Sequence, residues 1–200
     1  MTTSFPTRRV LRVSLALLAA VLVSREVLAQ TDTTSPREAT SATVVVLPVA
    51  LYNAQANVQE ASDSSQAALA TQVLTSKLQE LLGPQLLPGS RVAVVAASPE
   101  ALGTTGKQPC NVIVACARAV ANALQAPWVV IAKVSKTSNL IWLFTGQLIH
   151  APTGTIILDD STELKGPPEG MVRAGSRIFA ERVARTVRRG GVTTNFPNTP

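Results

Sequence analysis

Histidine, cysteine and aromatic rings are all scarce in this 200-residue chain, which holds one His, two Cys, four Phe, two Trp and one Tyr. A single histidine, His150, leaves general acid–base chemistry one candidate, and its place at a strand end beside a turn reads first as a surface position. Scarce aromatics leave no stripe of rings interleaved with basic residues, so nucleic acid is not an expected partner. There is no glycine-rich phosphate loop, no nucleophile elbow and no metal-spaced His/Cys set. The expectation is a chain that uses neither cofactor nor metal. Asp159, Asp160 and Glu163 are the one acidic group that hints at calcium or paired carboxylates, and a solvated turn is the simpler reading.

A long hydrophobic run is also missing. Arg8, Arg9 and Arg12 precede the apolar segment Val13 to Val23. That run is about half of the roughly twenty residues a bilayer core requires. With Val27-Leu28-Ala29 behind it, the segment reads as a cleavable export signal over residues 1–29, cut before Gln30. A retained N-terminal anchor is the alternative. Gln30 stands where a lipoprotein needs its acylated cysteine, so the expected mature chain is soluble, periplasmic or secreted. The first 29 residues carry four of the 18 basic residues and one of the 12 acidic ones. The net charge of +6 therefore falls to a mild +3.

Residues 30–42 are rich in Thr, Ser and Pro without periodicity and read as a disordered leader. A single domain is expected over 43–190, with a floppy tail over 191–200. Thr43 to Val49 is a β-branched run suited to a strand buried on both faces, with Pro48 as its exit. Tyr52 to Ala61 reads as loop. Ser62 or Asp63 caps a helix to Leu82, whose Ala67, Ala70, Leu74, Leu78 and Leu81 recur at threes and fours. Arg91 to Ala97 reads as a second buried strand. Ile113, Cys116, Val120 and Leu124 mark a helix, and Trp128 to Ala132 a third strand. Leu140 to Ile149 and Thr155 to Leu158 are antiparallel strands around the Ala151-Pro152-Thr153-Gly154 turn. A last helix, about Met171 to Arg189, stops at Gly190-Gly191. The order β-α-β-α-β-β-β-α predicts an α/β class (α+β mixed), with a mixed sheet of about five strands and about three helices.

Two cysteines in an exported chain point to a disulfide, with two free, packed thiols as the alternative. Were Cys110 and Cys116 both helical, they would lie about 9 Å apart along the axis, beyond the roughly 7 Å that a bridge allows between Cα atoms. Cys110 is therefore expected in the connection before the helix, with Asn111 as an N-cap. A third reading makes one cysteine a catalytic thiol served by His150.

Cys110, Cys116, the short helix, Val129 to Ala132, Lys133 to Ile141 and the Ala151 to Thr155 turn together resemble a family of uncharacterised secreted proteobacterial proteins. The fold of that family is similar to the N-terminal domain of TolB and to CsgG-like periplasmic domains. The resemblance runs from about Thr43 to Val187 and implies a periplasmic module that binds a partner or ligand. This chain departs from it at Gln125-Ala126-Pro127-Trp128, where the relatives place a glycine and a small acidic stretch.

Two surfaces are candidates for contact. One is the turn carrying Lys136, Ser138 and Asn139, whose short side chains could equally satisfy local backbone groups. The other is the basic face of the last helix, with Arg173, Arg177, Arg185 and Arg188. That face is either solvated or attaches to an acidic partner or anionic lipid. The leading expectation is a non-catalytic domain that meets an envelope protein or small ligand. The alternatives are a thiol-dependent or hydrolytic enzyme and a membrane-surface protein.

Overall fold

A computed structural model describes residues 43–53, 61–106, 110–138 and 141–191. The chain divides between Ser35 and Pro36 into two units, and the structural description concerns the second. The export segment, the leader and the tail from Val192 lie outside the described residues.

Nine residues, Trp128–Lys136, form β3, the strand on which the sheet is built. On one side it pairs in parallel with β1 (Val44–Val46) and β2 (Ala50–Asn53). The register runs from Val44↔Trp128 to Val46↔Val130 and resumes at Ala50↔Lys133, so one extra residue is spliced in around Pro48. Proline has no N–H for the ladder, yet Leu47 still donates to the Val130 carbonyl at 3.1 Å. The apolar run thus bulges at Pro48 and continues, and Tyr52 and Asn53 belong to a strand instead of the expected loop. On its other side β3 starts an antiparallel meander through β4 (Ile141–His150) and β5 (Thr155–Lys165). The result is a five-stranded mixed sheet, as expected.

Alternation along the strands sends two sets of side chains to opposite faces. Val130, Ala132, Val134, Trp142, Phe144 and Leu148 meet the long helices α1 (Ala61–Leu82) and α5 (Pro168–Arg188) through Leu74, Leu78, Phe179 and Val183. Val129, Ile131 and Ile149 face a smaller core built by α2 (Gly89–Ala96), α3 (Pro99–Gly103) and α4 (Val114–Ala123). The described residues therefore hold five α-helices where about three were expected.

One of the two additional helices lies at Arg91 to Ala97, which is largely helical and not a strand, and the other, α3, in the connection that follows. Both sides of β3 are already occupied, by β1 and β2 and by β4, so the sheet has no interior place for this run. Its residues are not buried on two faces either: Val92 is buried while Val94 is 75% exposed. A short β-branched run does not by itself separate strand from helix, and here the packing decides.

Two helix ends also carry local detail. The α1 helix begins at Ala61, so Asp63 sits inside its first turn instead of capping it. At the end of α5, Gly190 (φ +65°) and Gly191 (φ +82°) close the helix, with the Gly191 N–H bonded to the Thr186 carbonyl at 3.0 Å. That six-to-one bond is a Schellman closure, as the glycine pair predicts.

Candidate functional site

Cys110 and Cys116 form a disulfide, with Cα atoms 5.0 Å apart. Cys110 opens a 3-10 turn over Cys110–Val112, and Cys116 lies in the first turn of α4, as helix geometry requires. Both cysteines are buried. The paired sulfurs offer no thiolate, so neither is poised as a nucleophile for His150. The N-cap of α4 is Ile113, without a side-chain cap, so Asn111 is not the cap the sequence suggested.

Asn111 has a different place. With Val112 it forms one wall of a groove of about 320 Å³ on the face of the sheet that α2, α3 and α4 cover only in part. The groove runs over Ile131 and Lys133 of β3, Thr145 and Gln147 of β4 and Asp159 of β5, with backbone at Ala132 and Gly146 in its floor. The register explains why these residues converge. Lys133 lies opposite Thr145, and Gln147 lies opposite Asp159 one two-residue step away, so all project from the same face. Gln147 Nε2 donates to Asp159 Oδ2 at 3.3 Å. The Lys133 ammonium lies 5.8 Å from the centroid of the Tyr52 ring. Neither Lys133 nor Asp159 has an ion-pair partner among the described residues.

The turn proposed from sequence is built differently from a binding loop. Lys136 is the last residue of β3, 4% exposed, and its ammonium donates to both oxygens of buried Asp63 at 3.0 and 3.3 Å. It therefore ties the start of α1 to the sheet instead of projecting to a partner. Ser138 accepts from the Ile141 N–H at 3.1 Å, which closes the turn locally. Asn139 lies outside the described residues.

The basic face of α5 is present but partly engaged. Arg173 donates from Nε and Nη2 to Glu169 Oε1, and Arg188 donates to the Leu81 carbonyl at the end of α1. Arg177 and Arg185 are exposed without an ion pair among the described residues.

The acidic trio is strand, not solvated turn. Asp160 is buried and paired with Arg182 of α5, while Asp159 faces the groove. The described residues hold no group of His, Cys, Asp and Glu arranged to take a metal ion. His150 accepts or donates at Nδ1 to Thr153 Oγ1 at 2.9 Å, and its ring centroid lies 5.1 Å from that of Trp128. That is a turn histidine. Among the described residues, no helix is long and apolar enough to cross a membrane.

Nothing in the sequence alone singles out Lys133, Thr145 and Gln147 as site residues, nor Arg118, which donates to the Ala151 and Pro152 carbonyls and holds the β4–β5 turn. One pattern does point to the groove. Polar Thr145 and Gln147 alternate with Phe144, Gly146 and Leu148 on a strand whose neighbour β3 is apolar throughout its first half. Alternation of that kind marks a half-covered face.

Residues 42–182 match the model of the DUF3280 family, described as a protein of unknown function (DUF2380). The chain belongs to this family. No curated protein sequence matches it. Among solved structures, the chain is similar to the LpoB C-terminal domain from Salmonella enterica, at 18% identity over 62% of this chain and 84% of that one, with a TM-score of 0.44. The PelC dodecamer from Paraburkholderia phytofirmans is similar at 13% identity over 73% and 86%, with a TM-score of 0.41. TolB from Acinetobacter baumannii is similar at 12% identity over 74% of this chain and 29% of that one, with a TM-score of 0.40.

Proposed function

We propose that this member of the family is a non-catalytic binding domain of the cell envelope, engaging a protein or small ligand through the groove on the open half of its sheet. The observation that carries the reading is the convergence of Asn111, Lys133, Thr145, Gln147 and Asp159 around one concavity, with polar groups suited to orienting a ligand and a disulfide closing the turn that carries Asn111. The envelope assignment rests on the signal-like residues 1–29 and on the oxidised cysteine pair, which persists in exported proteins. A thiol-dependent enzyme finds no support in a pair of buried, bridged sulfurs.

The test is site-specific photo-crosslinking in the native host, with the crosslinking residue placed at Thr145 or Gln147 and, as a control, at Val94. The expected result is a discrete adduct from the two groove positions in the envelope fraction and none from Val94. An equal yield from all three positions, or no adduct at all, overturns the groove as the binding surface.

A further inference from the structure

We infer that the groove takes a short peptide in extended form, with its ammonium at Asp159 and its carboxylate at Lys133. The inference rests on the groove being the binding surface and names the ligand class. Lys133 and Asp159 stand at opposite corners of the groove, two strands and one two-residue step apart. Strand geometry places their Cα atoms roughly 12 Å from each other. An extended peptide of three residues spans at most about 10 to 11 Å. That span is close to the separation of the two Cα atoms, so a tripeptide laid across β4 brings one terminus toward each charged residue, with the Lys133 side chain turning from the Tyr52 ring of β2 back over the groove to meet the carboxylate, whereas a single amino acid does not cover the distance.

Both charges are available for a ligand. The described residues give neither an ion pair, and Asp159 uses only Oδ2, in its bond from Gln147, leaving Oδ1 open. Lys133 is exposed and lies over the Tyr52 ring, which holds a cation without neutralising it. Between the corners, Thr145 supplies a hydroxyl, and Asn111 and Gln147 supply amides that both donate and accept. That mixture matches the alternating N–H and C=O groups of a peptide backbone. The half-exposed Val112 side chain gives an apolar contact for one small side chain.

The same inventory argues against other ligands. A phosphate or nucleotide wants several cations or a cradle of backbone N–H groups, and among the described residues the groove is lined by one cation, with a carboxylate at its other corner. A hard metal ion wants several oxygen ligands in a tight set, and among the described residues the lining has one carboxylate.

The experiment is an amide chemical-shift titration of the full processed chain, with its disulfide intact, using tri-alanine as the probe. Parallel titrations use N-acetyl-tri-alanine, which lacks the ammonium, and tri-alanine amide, which lacks the carboxylate. Tri-alanine is expected to shift the amides of Asn111, Lys133, Thr145 and Asp159, and each cap is expected to weaken binding about tenfold, the loss of one charged hydrogen bond. Asp159→Asn should abolish the preference for the free amine, and Lys133→Gln the preference for the free carboxylate. The capping arms change the ligand alone and so do not depend on any variant folding. Equal binding of all three peptides, or no groove shift with tri-alanine, overturns the inference. If the Thr145 crosslink persists in that case, the ligand class falls and the binding surface stands. If it is also absent, both fall.

Discussion

Lys136 shows how far one side chain's meaning depends on where it ends up. In the sequence it sits in a polar stretch and looks like a surface lysine in a turn. In the fold its ammonium is enclosed with the Asp63 carboxylate and lies 5.9 Å from the Trp142 ring centroid. A buried pair of this kind is costly to break, because the surviving charge is left in a low-dielectric site. Lys136→Met alone is therefore expected to lower unfolding free energy by about 3 to 5 kcal/mol in urea titrations. Replacing both partners, Lys136→Met with Asp63→Leu, should cost less than the sum of the two single changes, since the second substitution removes the charge that the first leaves facing it. A double variant that loses the full sum would show that the pair does not act as a unit. Gln125 presents the converse case. It is the one non-glycine residue among those described with a positive φ, at 55°, and it sits just past α4, where the Ala126 N–H reaches back to the Ala121 carbonyl. An L-residue pays about 1 to 2 kcal/mol for this conformation, partly offset in glycine by the greater entropy of its unfolded chain. Gln125→Gly should accordingly raise the midpoint of thermal unfolding, corresponding to about 0.5 to 1 kcal/mol. A lowered midpoint would mean that the glutamine side chain contributes more than the backbone loses.

At the scale of elements, the docking of α5 on the sheet turns on one missing side chain. Gly146 faces the helix layer from the middle of β4, and a Cβ built there would lie 2.4 Å from the Phe179 ring. Phe179 is 1% exposed and tilts against Phe144 with centroids 5.7 Å apart, so it has nowhere to retreat without disturbing its neighbours. Gly146→Ala is expected to cost about 1 to 3 kcal/mol by overpacking. Combining it with Phe179→Leu should cost less than the sum of the two single changes, a coupling that a double-mutant cycle reads directly. Helices α1, α4 and α5 announce themselves because their apolar positions recur at threes and fours and meet one core each. The strands β3 and β4 do so through length and β-branching. The α2 segment did not, because the six-residue apolar run Val92 to Ala97 has no period to read and its fate depends on whether the sheet has room for it. Nor did the continuation of the first strand past Pro48, since a bulge depends on the partner's register and not on the residues that form it. The groove stayed hidden for the same reason: its five polar residues come from three strands and a turn, and only the register places Lys133 beside Thr145 and Gln147 beside Asp159.

For the molecule as a whole, the disulfide and the groove are one mechanical unit. The bridge closes the turn that carries Asn111 and Val112, and among the described residues these two are the part of the groove wall supplied from outside the sheet. The remaining groove residues are held by strand pairing and do not depend on the sulfurs. Removing the bridge through the paired Cys110→Ala and Cys116→Ala changes releases a short loop, at a cost of about 2 kcal/mol on the chain-entropy account. The stability change should be modest, because both cores and the α1–α5 layer remain in place. The local change should be larger: amide hydrogen exchange is expected to accelerate over residues 110–116 while β3, β4 and β5 keep their protection. If the turn is a working wall, ligand binding in the groove should weaken with that loosening, while the Asp159 and Lys133 preferences persist because those residues stay on the sheet. Uniform acceleration of exchange across the strands would show instead that the bridge supports the whole second core. Unchanged exchange at Asn111 and Val112 would show that packing alone holds the wall.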